Sequence, residues 1–336
     1  MPCYSPLKGY KDPDTGGLTF RRKHKFSEKM EVACGSCLGC RLDYSRMWAV
    51  RIVHESTLHE HAGGNCFVTL TYRSLYECSD DQVDRRLYVP DDWSLNPGHF
   101  RNFMKRLRKW FAPQRIRYFQ VGEYGRKCRH EIDLEQFSCP YCFLGRPHHH
   151  AALFNCSFPD LEVYDNRDGE YRYTSPLLEQ IWGFGFVDVG ELNYASAAYG
   201  ARYILKKVNG VRAFDHYMQY DDNGCAYWLH PEYCTMSRGN AASKGKRCGI
   251  GADWFYEYRE DVFPSDEVPV PGFGIVQKVP RYYEEIFKEE RPLSMDEIKA
   301  VRRKFKEEHE SEYTPERLMD KYRVKLAQVH QLKRDV

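Results

Sequence analysis

Four stretches of the chain have the composition and the period of β-strands. Their residues are β-branched or aromatic, or alternate between apolar and polar types, and turn-forming residues stand at their ends. They span residues 66–72, 115–121, 147–154 and 183–190. Thr69 and Thr71 share one face of the first strand, and Glu123 follows the second strand in a Gly-Glu-Tyr-Gly turn.

Three further stretches have the period of amphipathic helices. One opens at Asn96-Pro97 and places a basic side opposite an aromatic side, and a short one lies around residues 177–182. The third follows Asn193, a suitable N-cap, and is predicted to continue to a stop at Asn209-Gly210. Its apolar side is formed by Ala197, Ala201, Ile204 and Val208, and its other side by Tyr199, Arg202, Tyr203 and Lys206.

These elements predict an α+β protein with a central antiparallel sheet and flanking helices. No element is predicted in the polar stretch 157–175 or in the irregular stretch 211–251, and a capping box at Ser294–Glu297 and Thr314-Pro315 predict two charged helices near the end of the chain. We expect a cysteine-containing segment at 1–60, a main domain at 61–263 with an insertion at 126–146, a proline-rich linker at 264–280 and a charged helical extension at 281–336.

Composition fits a folded protein that is not embedded in a membrane. Of the 336 residues, 42% are hydrophobic, which suffices for a core, while the mean hydropathy is -0.69 and no run of 18 apolar residues exists. The start of the chain has no signal-peptide pattern, so we expect a cytoplasmic location and reduced thiols for the 13 cysteines. The net charge of +2 conceals basic runs at 101–117 and 244–247, which suit an anionic partner or a solvated surface.

Two groups of cysteines have the spacing of metal ligands. Cys34, Cys37 and Cys40 fit a turn around Zn²⁺, but a fourth ligand must come from Cys3, His24 or a distant cysteine, and free thiols are equally compatible with the spacing. The insertion carries a second group, for which structural zinc is the favoured interpretation; it consists of Cys128, Cys139 and Cys142, with His130 nearby.

Three consecutive histidines open the strand at 147–154. The period of two places His148 and His150 on one face and His149 on the other. A single buried histidine is usually a core residue with its hydrogen bonds satisfied. Two on the same face, with a carboxylate such as Glu123, can hold a divalent ion and leave positions open for substrate oxygens.

The order of these motifs resembles that of the HUH endonuclease superfamily, and in particular the two-tyrosine rolling-circle replication initiators of microviruses and their gokushovirus branch. Three stretches carry the resemblance, which covers residues 30–255: Phe67–Tyr72, Pro147–Phe154 and Tyr199-x3-Tyr203-x2-Lys206. The cysteine group at 34–40 and the stretch 238–251 are also similar. The middle residue of the histidine motif is normally a bulky hydrophobe, and here it is His149.

The resemblance implies a fold with an RRM or ferredoxin-like core and a metal-dependent DNA nickase. Tyr199 and Tyr203 would be alternating nucleophiles, Lys206 a supporting cation, and Glu123, His148 and His150 the ligands of Mg²⁺ or Mn²⁺. Attack on origin DNA, single-stranded or supercoiled, would leave a 5′-phosphotyrosine link, later resolved by rejoining. A host helicase and host replication proteins would be partners, in the bacterial cytoplasm and without a membrane.

Two other functions fit parts of the sequence. The basic helix and the cysteine pairs would suffice for a non-catalytic, zinc-containing nucleic-acid-binding protein. The histidines and Glu123 would suffice for a hydrolase in which water attacks in place of tyrosine.

Overall fold

The computed structural model describes residues 3–22, 27–73, 94–128, 132–134, 136–137, 144–167, 169–203, 206–208, 210–220, 224–239, 246–276 and 278–331. The chain divides into two compact units. Unit 1 contains residues 1–47 and 284–336, and unit 2 contains residues 48–283. Among the helices of the described residues, none is both long and apolar enough to cross a membrane.

The strands of the described residues are short, and most belong to unit 2. In chain order they are β1 (Leu7–Lys11), β2 (Leu18–Thr19), β3 (Lys29–Val32), β4 (Asn65–Thr71), β5 (Arg117–Tyr124), β6 (Pro147–Phe154), β7 (Glu162–Arg167), β8 (Glu170–Thr174), β9 (Val187–Gly190), β10 (Met218–Tyr220), β11 (Ala226–Trp228), β12 (Tyr233–Met236), β13 (Val268–Val270) and β14 (Gly274–Val276).

The helices are distributed along the whole chain. They are α1 (Leu38–Thr57), α2 (Pro97–Trp110), α3 (Pro176–Trp182), α4 (Tyr194–Tyr203), α5 (Arg212–Tyr217), α6 (Ala252–Val262), α7 (Arg281–Glu290), α8 (Pro292–Glu308) and α9 (Pro315–Gln331), with a 3-10 turn at Glu310–Tyr313.

A seven-stranded antiparallel sheet forms the centre of unit 2. Its strand order is β12-β5-β6-β4-β9-β8-β7, so the three predicted strands that carry Thr69, Glu123 and the histidines are neighbours in its middle. The prediction of an α+β fold with a central antiparallel sheet is therefore confirmed. Alternate residues of each strand face opposite sides of the sheet, which separates two surfaces with different chemistry.

One surface, which we call the core face, is covered by α2 and α3. Its strand residues include Val68, Leu70, Ala151 and Leu153, and the helices contribute Phe100, Phe103, Met104, Leu107, Leu178, Ile181 and Trp182, all of them buried. Asn96 caps α2 by accepting a hydrogen bond from the Gly98 N–H, as predicted. Trp110 belongs to the aromatic side that the sequence predicted for this helix, but it is 59% exposed at the end of α2.

The opposite surface, the site face, carries Glu123, His148 and His150, and α4 packs against it. Beyond these polar residues the same face continues with Phe119, whose ring lies 4.7 Å from that of Trp48 on α1. Apolar packing thus anchors one end of this face, and polar side chains occupy the other.

Unit 1 contains a three-stranded sheet, in the order β2-β1-β3, and the helices near the end of the chain. The Lys306 ammonium lies 3.0 Å from the Glu31 carboxylate, and the Tyr4 and Tyr322 rings meet edge to face at 5.6 Å. The predicted charged helices are present, although α8 begins at Pro292, two residues before the expected capping box. Thr314 precedes α9 and accepts a hydrogen bond from the Arg317 N–H.

Several elements were not predicted from the sequence. The β7-β8 hairpin extends the central sheet within the polar stretch 157–175, and β12 joins its other edge from the stretch 211–251. The stretch 264–280, expected to be a linker, contains the β13-β14 hairpin. Among the described residues, the helix that carries the two tyrosines spans Tyr194–Tyr203, and Lys206 lies beyond it with its N–H bonded to the Tyr203 carbonyl. Of the predicted stop at Asn209-Gly210, Asn209 lies outside the described residues.

Candidate active site

Pairing of the central strands brings three predicted site residues together. Glu123 on β5 lies directly opposite His148 on β6, and His150 lies opposite Thr69 on β4. The residues at 123, 148 and 150 therefore point to the same side of the sheet, as the strand period predicted. Strand β5 continues through Glu123 to Tyr124, so Glu123 lies within the sheet and not in a turn after it.

His150 is the centre of this group. Its Nε2 atom lies 2.9 Å from the Glu123 carboxylate, and its Nδ1 atom lies 3.1 Å from the Thr69 hydroxyl. His150 and Glu123 are both buried, with side chains 6% and 5% exposed. Burial acts to raise the pKa of Glu123, but the hydrogen bond from His150 and the charge of Lys206 outweigh it and lower that pKa. Glu123 is therefore an anion at neutral pH.

His148 is fixed through one of its two ring nitrogens. Its Nδ1 atom lies 2.8 Å from the Arg146 carbonyl oxygen, which can only accept a hydrogen bond, so Nδ1 carries the proton and Nε2 keeps its lone pair. Burial lowers the pKa of His148 to about 4, which keeps the ring neutral at neutral pH. A Cβ atom at Gly125 would lie 2.8 Å from this ring, so the ring position requires glycine there.

Both tyrosines of α4 contact His150. The Tyr203 ring stacks on the imidazole at 4.6 Å with 5° between the planes, and the Tyr199 ring meets the same imidazole nearly at a right angle at 5.7 Å. The tyrosine rings are 4.8 Å apart. Gly200 lies between them in sequence, and a Cβ there would come within 2.9 Å of Phe67 on β4, so this glycine allows the close approach of helix and sheet.

The two tyrosines differ in their surroundings. Tyr203 is 9% exposed, whereas Tyr199 is half-buried. Burial and then the Glu123 charge raise the pKa of Tyr203; burial also raises the pKa of Tyr199, where the charges of Arg172 and Arg202 oppose the increase. The helix does not separate an exposed tyrosine side from a buried alanine side, since Ala197, Ala201 and Tyr203 are all buried.

Lys206 lies just beyond the end of α4 and reaches back to the sheet. Its Nζ atom donates to the Glu123 carboxylate at 2.5 Å and to the Tyr124 carbonyl at 3.2 Å, and lies 4.7 Å from the centre of the Tyr203 ring. Its side chain is 42% exposed. Lys206 thus contacts both the Glu123 carboxylate and the Tyr203 ring.

A pair of charged residues beside Tyr199 was missed in the sequence. Asp188 on β9 lies opposite Thr69, and its carboxylate accepts a hydrogen bond from Arg172 on β8. The charge of Arg172 acts on the Tyr199 hydroxyl, as described above. Only recognition of β8 as a strand of the sheet, with Arg172 on the site face, could have revealed this cation.

His149, in the middle of the histidine motif, does not join the other two. It lies on the core face with no exposed surface, and its ring nitrogens lie 3.1 Å from the Tyr72 hydroxyl and 3.2 Å from the Gln120 amide nitrogen. Burial lowers the pKa of His149 to about 3, so the ring is neutral. His149 occupies a position suited to a hydrophobe and satisfies its polar atoms internally.

Unit 1 contains a second cluster of ligand atoms. The thiols of Cys3, Cys34, Cys37 and Cys40 all lie within 4.8 Å of one another. In the described part of the chain, no other three or more His, Cys, Asp or Glu residues bring their ligand atoms this close together. The Sγ atoms are 3.8 Å apart for Cys3 and Cys37, and 4.0 Å apart for Cys34 and Cys40. A tetrahedral Zn²⁺ with bonds of about 2.3 Å requires edges of about 3.8 Å, so this cluster could bind zinc.

Hydrogen bonds support a thiolate in this cluster. The N–H of Cys37 donates to Cys34 Sγ at 3.3 Å, and the N–H of Cys34 donates to Cys3 Sγ at 3.2 Å. Burial acts to raise the pKa of Cys34, but backbone hydrogen bonds outweigh it and lower this pKa to about 6. Cys3 supplies the fourth thiol that a zinc site at 34–40 would need. In the insertion, Cys128 is buried against Ile132 and Leu134, while His130, Cys139 and Cys142 lie outside the described residues.

The chain is 32% identical over 326 residues to the replication-associated protein ORF2 of Spiroplasma virus 4, an alignment that covers 90% of this chain and 86% of that protein. It belongs to the replication-associated proteins of microviruses.

Other members of this family are also similar. The replication-associated protein VP4 of Bdellovibrio phage phiMH2K is 29% identical across 95% of the chain and 88% of its own length. The replication-associated protein ORF4 of Chlamydia phage 1 is 26% identical across 76% of the chain and 53% of its own length. A family model described as replication-associated protein ORF2/G2P matches residues 65–132, which include β4, α2 and Glu123. No solved structure matches.

Proposed function

We propose that this protein starts rolling-circle replication of a small single-stranded DNA phage by cutting the origin strand with a tyrosine. The observation that supports this most directly is the convergence of Tyr199 and Tyr203 on His150, whose imidazole bonds Glu123. A packing role alone would not require a buried carboxylate, two histidines and a lysine around the same pair of rings.

The donor types suit a divalent ion, which would have to draw the side chains of Glu123, His148 and His150 closer together, since their ligand atoms are not all within 4.8 Å of one another. His148 has a free Nε2 lone pair, His150 presents Nε2 toward Glu123, and Glu123 is ionised. Two imidazoles with a single carboxylate suit Mn²⁺ better than Mg²⁺, which prefers oxygen ligands. When bound, the ion would polarise a non-bridging oxygen of the scissile phosphate and hold that phosphate in place.

The chain's own groups account for the transfer step. The phenolate oxygen of Tyr199 or Tyr203 forms a bond to phosphorus, the bond from phosphorus to the 3′ oxygen breaks, and the leaving oxygen takes a proton as a 3′-hydroxyl. Burial raises the pKa of both tyrosines, so neither ionises unaided at neutral pH. Lys206, next to Tyr203 and bound to Glu123, places positive charge where the phenolate develops.

Two tyrosines allow two cuts without release of the DNA. Their rings are 4.8 Å apart and contact the same histidine, so each can reach one phosphate position in turn. While one tyrosine retains the 5′ end, the other cuts the regenerated origin after a full circle. The free 3′-hydroxyl serves meanwhile as the primer end for host replication proteins, and finally closes the product.

Covalent capture tests this function. The protein would be incubated with Mn²⁺ and single-stranded origin DNA labelled at its 3′ end, because the fragment retained on tyrosine carries the 3′ label. We expect a labelled protein band that survives denaturation, and its loss in the Tyr199→Phe/Tyr203→Phe variant.

Each other function gives a different result in the same experiment. Cleavage without a covalent band indicates a hydrolase in which water attacks, and binding without cleavage indicates a non-catalytic DNA-binding protein. A band that persists in the double variant shows that the nucleophile is a different residue.

A further inference from the structure

The exposed side of α2 has an unusual charge distribution. The helix contains five cations and no acidic residue: Arg101, Lys105, Arg106, Arg108 and Lys109. Two of these stabilise the fold, because Arg106 donates to the carbonyls of Ile181 and Trp182, and Arg108 donates to that of Ile116. Within the described residues, the other three cations make no such hydrogen bond.

Arg101, Lys105 and Lys109 form an exposed stripe along the helix. They are four residues apart, so successive side chains are displaced by about 6 Å along the axis. No carboxylate lies within 4.0 Å of any of these three cations in the part of the chain that the structure describes. In α8, by contrast, the exposed Lys299 and Lys304 each lie beside an acidic residue of their own helix.

Helix stability does not explain the stripe. The partial charge at the start of a helix is positive and favours acidic residues there, yet the first turn of α2 has none and Arg101 lies in the first half. Lys109 alone benefits from the negative end of the helix. None of the three cations pairs with a carboxylate in the described residues, and Arg101 and Lys105 do not suit the helix dipole either, so the stripe indicates an external anion.

Trp110 specifies the kind of anion. It follows Lys109 at the end of α2, is 59% exposed, and has no ring partner in the described residues. Regularly spaced cations follow a chain of phosphates, and an exposed indole stacks on an unpaired base. A duplex would satisfy the cations but would offer no unstacked base to Trp110.

We propose that Arg101, Lys105, Lys109 and Trp110 bind a segment of single-stranded DNA separate from the segment at the tyrosines. Helix α2 covers the core face of the central sheet, whereas Tyr199 and Tyr203 lie on its site face. The same phosphate cannot contact both. The surface goes beyond the proposed cleavage and does not depend on it, since it would hold DNA even if the tyrosines were inert.

The test measures binding of the full chain to a fluorescent thymidine homopolymer of about 30 nucleotides, without added Mg²⁺ or Mn²⁺, between 50 and 200 mM salt. No origin sequence and no cleavage are involved, so a failure of the proposed function leaves the result interpretable. In the Arg101→Gln/Lys105→Gln/Lys109→Gln variant, loss of three phosphate contacts should reduce the slope of log affinity against log salt by about 2.

A matched variant removes the same charge elsewhere. Arg303, Lys304 and Arg323 are exposed cations of α8 and α9, and their replacement by glutamine should leave the slope unchanged. An equal decrease of the slope in both variants would show that the effect comes from net charge alone, and would overturn the proposal. Thermal melting of each variant verifies that the fold is retained.

Trp110→Ala separates stacking from charge. It should weaken binding to the homopolymer about 5- to 100-fold and leave the salt slope unchanged, because an indole releases no counterion. On duplex DNA the same substitution should have no effect. The proposed surface is wrong if the triple glutamine variant weakens binding to duplex DNA and not to the homopolymer. It is also wrong if Trp110→Ala changes the affinity for neither.

Discussion

The cysteine cluster of unit 1 and the histidine and glutamate group of unit 2 are both candidate metal sites, but they differ in how their ligands are arranged. The four thiols have tetrahedral spacing and no position left open. The other group offers three ligands, and its carboxylate already bonds His150 and Lys206. Four protein ligands that fill every position are typical of a structural ion. Three protein ligands that leave a position open are typical of an ion that acts on a substrate.

The difference also lies in what each set requires of the chain. The cysteines come from two short segments, and backbone N–H groups stabilise their negative charge. Glu123, His148 and His150 instead depend on the register of two long strands, which places their side chains on one face. We therefore expect a bound ion to help organise the small unit that holds the first set, whereas the second set is organised by the sheet.

The largest expected effect is loss of zinc from unit 1. Replacing Cys34 and Cys37 by serine should lower the zinc content by one ion per chain, and should make unit 1 sensitive to trypsin. A structural zinc contributes about 10 kcal/mol or more to folding at neutral pH. Mass spectrometry of the metal content measures the first effect. The matched control is Cys225→Ser, an exposed thiol outside the cluster; unchanged zinc in the double variant would show that the cluster binds none.

The next largest effect is expected for the two histidines of the unit 2 site. His148→Ala and His150→Ala should each reduce nicking by about 10³-fold or more, because the ion stabilises the transition-state charge by several kcal/mol. Zinc content and DNA binding should remain near those of the parent protein. Cleavage of labelled origin DNA at several Mn²⁺ concentrations measures this, and parent-like nicking in either variant would place the ion elsewhere.

The single tyrosine variants test whether the two nucleophiles take turns. Tyr199→Phe and Tyr203→Phe should each still form one covalent link with origin DNA and fail to release a closed circle, because the second cut lacks its nucleophile. The yield of circular product on a substrate with two origins measures the second step. Full strand transfer by either variant would contradict alternation.

A smaller effect is expected for Lys206, which contacts both the Glu123 carboxylate and the Tyr203 ring. Lys206→Gln should slow nicking by about tenfold, since a cation that is 42% exposed is partly screened by water. Lys206→Arg should retain most of the activity. Lys207→Gln, an exposed neighbour, is the control for charge alone; equal losses in both glutamine variants would remove Lys206 from the site.

The smallest effect on chemistry is expected at His149. His149→Leu should leave nicking intact and lower the free energy of unfolding by about 1–3 kcal/mol, because it removes a partner of Tyr72 and Gln120. Its pKa of about 3 in the fold, against about 6.5 when unfolded, means that the parent protein loses stability as pH falls from about 6.5 toward 3. Burial also lowers the pKa of His54 to about 3, and the loss of stability that this causes at low pH is the same in the parent protein and in the variant.

The variant should therefore have a shallower pH dependence, by about 1.4 kcal/mol per pH unit in that range. Urea unfolding at pH 6.5, 5.5 and 4.5 measures the difference between the two slopes. Parallel slopes would show that His149 is protonated in the fold.

Much of this site could be predicted because it depends on local patterns. The period of two in β6 separates His149 from its neighbours, and the spacing of Tyr199 and Tyr203 places both on one side of α4. The position of Lys206 could not be predicted, because it depends on where α4 ends and on the distant Glu123. Cys3 was one of the candidates that the sequence offered for a fourth ligand, and the fold selects it by bringing it to the cluster from 31 residues upstream of Cys34.

The unpredicted strands share a physical reason. Strand β7 is the edge strand of the sheet and β8 pairs with it as the other arm of a hairpin, and the polar composition of both strands resembles that of a loop. Strand β12 is four residues long and pairs with β5, more than 100 residues earlier in the chain. Such pairing is specified by tertiary packing and leaves no periodic signal in so short a segment.

The pairing of Glu123 with His148 fixes both side chains from the strand side of the segment that connects β5 and β6. Past the two strands, the Gly125 N–H bonds to the Arg146 carbonyl, and the Arg146 N–H bonds to the Lys127 carbonyl. The ligand positions are thus set by paired backbone on the strand side of this segment. Doubling the length of a flexible loop changes closure entropy by only about 0.6 kcal/mol. A change in the length of the segment between β5 and β6 should therefore leave the positions of Glu123 and His148 unchanged.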